Sequence, residues 1–257
     1  MKRLIVAISA AILVSGCVTQ TLYSGTDQVV QEKQPNLQAA AADRVRLGLA
    51  YLQQNDMEKA KFNLDKALEL DPRSAEVYLG RAYYFQSVSE HELAKDAYRR
   101  ALRIEPNNGD VLNNFGVYLC KQGDYAESEQ MMLRAVAAPR YTSMASTYEN
   151  LGLCTLEAGE HQRAAGYFEQ ALNYSPRRSL SLIELVNIAV VEQDYPGAQK
   201  ALERYHDLAS QTPQSLLLGV QIEQQLRDVE AAKRYGILLL AKFPRSQQAK
   251  QYRAEYN

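Results

Sequence analysis

Three cysteines and three histidines are the side chains of this 257-residue chain best suited to nucleophilic, redox or metal chemistry. They do not gather. Cys17 stands alone behind an apolar run, Cys120 and Cys154 lie far from it, and His91, His161 and His206 fall in three separate segments. Structural metal sites need several such ligands at close, paired spacing, and no pair occurs. A Gly-rich phosphate loop, an H-E-x-x-H helix and a G-x-S-x-G elbow are all missing. The acidic residues scatter in the manner of a solvated helix exterior, and the histidines read as surface residues. The expectation is a non-enzyme, with no catalytic residue, no metal, no cofactor and no small-molecule substrate.

Cys17 has a distinct chemistry. Lys2 and Arg3 form a short positive region, and Leu4 to Leu13 is an apolar run of ten. That is far short of the ~20 residues a spanning helix needs, and it reads as a secretory signal peptide. Val14-Ser15-Gly16-Cys17 then resembles the lipobox of bacterial lipoproteins. The resemblance implies a diacylglycerol thioether on Cys17, cleavage before it over residues 1–16, and acylation of the new amine. Three acyl chains exceed the two signals that stable anchoring takes. Val18, where an Asp would mark inner-membrane retention in enteric-type bacteria, implies the outer membrane, on its periplasmic face. The alternatives are an ordinary signal peptide with a chance cysteine, or a short membrane anchor. Residues 17–40 are then the lipidated cysteine and a polar, flexible tether, whose Val29 and Val30 could pack on the first helix.

Composition narrows the remainder. Apolar residues at 46% and charged residues at 23% exclude wholesale disorder. A net charge of −1 lacks the basic excess of a general nucleic-acid binder, so no nucleic acid is expected. With Lys2 and Arg3 removed, 27 basic residues face 30 acidic ones. Only 8 Pro and 13 Gly argue against an all-β fold with many tight turns.

The elements that position everything else come from a repeat. Gly48, Ala82, Gly116, Gly152, Val186 and Gly219 are spaced by 34, 34, 36, 34 and 33 residues. Twelve positions on stand Ala60, Ala94, Ser128, Ala164, Ala198 and Ala231; four further stand Leu64, Tyr98, Met132, Phe168, Leu202 and Tyr235. Pro72, Pro106 and Pro176 close three units in one register, and Pro139, Pro213 and Pro244 close the others within three positions. The pattern resembles the tetratricopeptide repeat, a pair of antiparallel helices per unit. Small residues let the two axes approach, large ones fill the space beside them, and Pro separates units. The expected fold is all-α: a right-handed superhelical solenoid of six repeats, 41–74, 75–108, 109–144, 145–178, 179–211 and 212–244, ending in a capping helix over 245–257.

On this frame Cys120 is position 12 of repeat three and Cys154 position 10 of repeat four, both on first helices. Consecutive first helices run side by side. A two-residue offset is a rotation of about 200° and a rise of about 3 Å, so the two cysteines leave neighbouring helices on facing sides. In an oxidising periplasm they predict a disulfide; two buried free thiols are the alternative.

Asn113 to Cys120 (NNFGVYLC) followed by Asn150 to Cys154 (NLGLC), behind a lipobox and a short tether, resembles the type IV pilus biogenesis/stability lipoproteins, the PilW/PilF pilotin family. Some of that family carry this cysteine bridge and others lack it. The resemblance covers the whole chain. It implies an outer-membrane assembly factor that binds the pilus secretin, or an associated pilus protein, and promotes its localisation and multimerisation in twitching motility. The rival readings are a scaffold in β-barrel assembly or peptidoglycan remodelling, and a peptidoglycan-acting enzyme. In tetratricopeptide proteins the concave face comes from positions 2, 5, 9, 12 and 13 of the first helix. Val45, Leu49, Leu52, Leu79 and Tyr83 there are the expected partner-binding residues. Val45 and Leu49 stand where a carboxylate clamp has Lys and Asn, which argues against capture of an acidic C-terminus.

Overall fold

The small residue of each unit does what the spacing requires. A Cβ on Gly116 would overlap Met132, one on Gly152 would overlap Phe168, and one on Gly48 would meet Leu64. The glycines let the large side chain of the second helix lie directly on the backbone of the first. Leu64, Tyr98, Met132, Phe168 and Leu202 are accordingly buried, as are Ala60, Ala94, Ser128, Ala164, Ala198 and Ala231.

The structure is a computed structural model that describes residues 36–256. Among these residues there are thirteen helices and no strand. They pair as α1 (Leu37–Gln53) with α2 (Met57–Leu70), α3 (Ala75–Ser87) with α4 (His91–Ile104), and α5 (Gly109–Lys121) with α6 (Tyr125–Val136). The next pairs are α7 (Met144–Glu157) with α8 (His161–Tyr174), α9 (Ser179–Val191) with α10 (Tyr195–Leu208), and α11 (Pro213–Gln225) with α12 (Val229–Lys242). The last helix, α13 (Gln247–Tyr256), packs on α11 and α12. From α2 onward each helix packs on its successor, and α5 with α7 and α7 with α9 also touch. This is a six-repeat solenoid, and no described helix is long and apolar enough to cross a membrane.

One boundary moves. The expected tether, 17–40, overlaps α1, which starts at Leu37. Ala39 to Ala42 are four alanines, the strongest helix formers, and Ala41 is buried against the first repeat, so the helix extends through them.

The turn inside each repeat has one construction. Asn55, Ser89, Gly123, Gly159, Gln193 and Arg227 occupy equivalent positions, all with φ between 60° and 82°. The next N–H in each bonds back into the first helix, as Asp56 does to the Tyr51 carbonyl at 2.9 Å and Asp228 to Glu223 at 2.9 Å. This is a Schellman-type stop. The following residue is always acidic and starts the second helix; Asp56, Asp194 and Asp228 cap it with their carboxylates.

The irregular unit has a physical reason. Seven residues join α6 to α7, where the other inter-repeat joints have four. That loop carries Arg140 at φ 63° and lays the ring of Tyr141 where a Cβ on Gly109 would stand. Tyr141 Oη meets Thr147 Oγ1 at 2.6 Å, and Thr147 donates to Asn113 Oδ1 at 3.0 Å. The extra chain is an ordered plug between repeats three and four.

Candidate partner-binding site

The motif residues that stood out in repeats three and four turn out to join those repeats. Asn150 donates to Asn113 Oδ1 at 3.2 Å. Cys120 and Cys154 are disulfide-paired, their Cα atoms 5.8 Å apart. Cys154 is buried and its sulfur lies 3.3 Å from Ser128 Oγ, which donates to the Gly116 carbonyl at 2.8 Å. Cys120 is half-buried, with a Glu157 carboxylate oxygen 3.6 Å away.

The five expected partner-binding residues divide. Val45 is only 1% exposed, packed with Leu64 and Val77, and its Cγ1 would lie 3.1 Å from a Cβ on Gly80. It is a core residue holding α1 on α3, so its assignment to a partner surface is corrected. Gly80 leaves the room on α3 that the Val45 side chain takes. Leu49 is half-buried against that same core, Leu79 against the core of the next repeat, and Leu52 belongs to neither. Tyr83 is half-buried, edge-on to Tyr98 with centroids 6.5 Å apart. Burial pushes its phenol up to about 12, and the Asp110 carboxylate adds to the shift. Leu49, Leu52, Leu79 and Tyr83 therefore keep accessible edges without forming one cluster. Cys17 lies outside the described residues.

Sequence reasoning missed a second apolar stretch. Leu180 and Val191, positions 2 and 13 of repeat five, are 40% and 60% exposed. The available signal was α9 itself (SLSLIELVNIAVV), apolar on more sides than a packed helix needs.

The histidines do not converge. His91 is exposed, its carbonyl accepting from Tyr118 Oη at 3.1 Å. His161 Nδ1 lies 3.1 Å from Glu192 across neighbouring repeats. His206 differs from the surface residue expected: it is half-buried with Nε2 3.0 Å from Ser215 Oγ, and burial, with Lys242 nearby, lowers its pKa. No group of three His, Cys, Asp or Glu side chains among the described residues is placed to hold a metal.

Tetratricopeptide-repeat family profiles match residues 107–177 and residues 44–74 and 75–108. Across nearly its full length the chain is similar to the type IV pilus assembly protein PilF of Pseudomonas aeruginosa, with 33% identity over 245 residues and 95% of each chain covered. The chain belongs to the PilF family of type IV pilus tetratricopeptide proteins. Another member-like relative, an uncharacterized protein of Haemophilus influenzae, is 38% identical over 161 residues, 62% of this chain and 84% of its own. The solved structure of Pseudomonas aeruginosa PilF superposes with a TM-score of 0.70 over 86% of this chain and 100% of that one. The crystal structure of PilW, described as a widely conserved type IV pilus biogenesis factor, gives 0.67 at 26% identity, over 82% of this chain and 97% of that one. Membership in the PilF family makes this a protein of type IV pilus biogenesis, built to present surfaces to other proteins.

Proposed function

We propose that this protein is an outer-membrane lipoprotein pilotin, anchored through Cys17 with its repeats in the periplasm, that binds the pilus secretin and promotes its localisation and multimerisation. It acts by binding, not by catalysis. The observation that carries the reading is the similarity to PilF over 95% of both chains, which reaches beyond the repeats alone. The lipobox ending at Cys17 supports the anchor, because three acyl chains hold a protein on a membrane without a spanning helix. The paired Cys120 and Cys154 support an oxidising compartment, where such a bond persists.

A deletion strain tests this. Loss of SDS-resistant secretin multimers, with normal porins, restored by the wild-type gene and not by Cys17→Ser, is the expected outcome. Normal secretin multimers in the deletion strain would refute the pilotin role. Outer-membrane fractionation of the Cys17→Ser protein would refute the anchor.

A further inference from the structure

Arg134 is a cation that is held in place without being neutralised. Its Nη2 donates to the Pro106 carbonyl oxygen at 3.1 Å and its Nη1 to the Met131 sulfur at 3.6 Å. Both acceptors are uncharged, so the guanidinium is oriented while its charge goes unmatched. Two arginines of α4 line the same cleft. Arg99 reaches Glu127 only at 3.9 Å. Arg103 reaches Asp96 only at 3.9 Å, and Asp96 is already engaged by Arg100 at 2.7 Å. Elsewhere the solenoid closes its inter-helix pairs, as in Lys95 with Asp124 at 2.7 Å and Arg178 with Glu149 at 2.5 Å.

The cleft has a volume of about 350 Å³ and lies between α4 and α6. Three guanidiniums and one lining carboxylate, Glu127, surround the half-buried Leu102, with Phe115 and Met131 buried beneath it. Arg99 and Arg103 are four residues apart, so they share one helix face. The chain as a whole is slightly acidic, so this positive excess is local. It also stands on the second-helix side of repeats two and three, whereas Leu52 and Tyr83 belong to first helices.

We infer that this cleft is a second docking surface, and that its occupant is an acidic peptide segment carrying one large apolar side chain. The apolar side chain lies on the accessible edge of Leu102, and flanking Asp or Glu carboxylates take the guanidiniums, which bind carboxylates in paired hydrogen bonds. A lipid phosphate would satisfy the arginines but would set a polar headgroup over Leu102. The peptide is therefore the better fit. The inference is independent of the secretin reading, because it names a different face and a different chemistry.

The test is fluorescence anisotropy with the purified full-length protein and two labelled probes. One is the peptide Glu-Asp-Phe-Asp-Glu-Leu and the other its uncharged counterpart Gln-Asn-Phe-Asn-Gln-Leu. The acidic probe binds, its affinity falls as salt rises, and the uncharged probe binds at least about tenfold more weakly. Arg103→Glu with Arg134→Glu weakens the acidic probe about tenfold or more, while Arg234→Glu on α12 leaves it unchanged. Should the double reversal fail to fold by circular dichroism, Arg103→Gln with Arg134→Gln gives the same comparison with less repulsion. Equal binding of both probes, no binding of the acidic one, or indifference to the arginine changes overturns the inference. Binding to phosphatidylglycerol vesicles that the same substitutions abolish, with no peptide binding, overturns it in favour of a lipid surface.

Discussion

Cys154 is buried beneath its helix while Cys120, its partner across a Cα separation of 5.8 Å, is reachable from solvent beside Glu157. The bridge joins two first helices that also share the Asn113–Asn150 hydrogen bond. It fastens the unit whose connecting loop is longest.

Purified protein, unfolded without reductant, should accordingly show no titratable thiol at Cys120 or Cys154. Reduction should lower the melting temperature and leave helix content largely intact, since the apolar cores shared between neighbouring repeats remain. The chain-entropy model puts the loss at about 3–4 kcal/mol for a loop of this length. Two titratable thiols before reduction would refute the bond.

The left-handed turn residue makes a separate prediction. Gln193 at φ 61° and Arg227 at φ 63° hold a conformation that costs an L-residue about 1 kcal/mol or more. Gly123 and Gly159 hold it without that cost. Gln193→Gly and Arg227→Gly should each stabilise by about 0.5–1 kcal/mol in chemical denaturation, and Gly123→Ala should destabilise by a similar amount. A lower midpoint for both glycine variants would show that the turn is not strained.

The joint between repeats four and five carries an ion pair with a pH signature. Glu149, 8% exposed, accepts from Arg178 at 2.5 Å and from Ser181 at 2.7 Å. Burial raises the carboxyl pKa, but Arg178 and the Ser181 hydroxyl outweigh it and hold the group below its ordinary value. A depressed carboxyl contributes stability above the ordinary glutamate value of 4.5, and that contribution is lost as pH falls through the folded value. Arg178→Met leaves the buried carboxylate with the Ser181 hydroxyl but no countercharge, costing about 3 kcal/mol at pH 7. At pH 4 the variant's Glu149 protonates and the gap to wild type should narrow. A gap of equal size at both pH values would place the effect outside this pair.

How much of this was readable beforehand varies by level. The repeat period carried the fold almost residue by residue, because the small and large positions are one contact seen from two helices, as Gly152 and Phe168 show. The cysteine pairing followed from helical geometry taken together with an expected oxidising compartment. The left-handed turn was hidden because Asn, Ser, Gln and Arg fill four of its six positions, and only two carry the glycine that announces such a backbone. The start of α1 was missed because four alanines have helix propensity but no amphipathic period. Val45 was misplaced because an apolar residue at a groove position looks the same in sequence whether it faces a partner or Gly80.

That last distinction can be measured. If the concave first-helix face holds the pilus partner, accessible residues must matter for assembly and buried ones for stability. Leu52 lies outside both neighbouring cores and Tyr83 keeps an accessible edge. Leu52→Asp with Tyr83→Gln should melt near wild type and abolish SDS-resistant secretin multimers in cells. Val45→Ala leaves a cavity between α1 and α3 and should cost about 2 kcal/mol. At a temperature where it is folded it should still support multimers, because its side chain never reached the surface. Normal multimers in the folded Leu52/Tyr83 variant would move the partner site off these two repeats, and the exposed Leu180 and Val191 of repeat five would be the next residues to change.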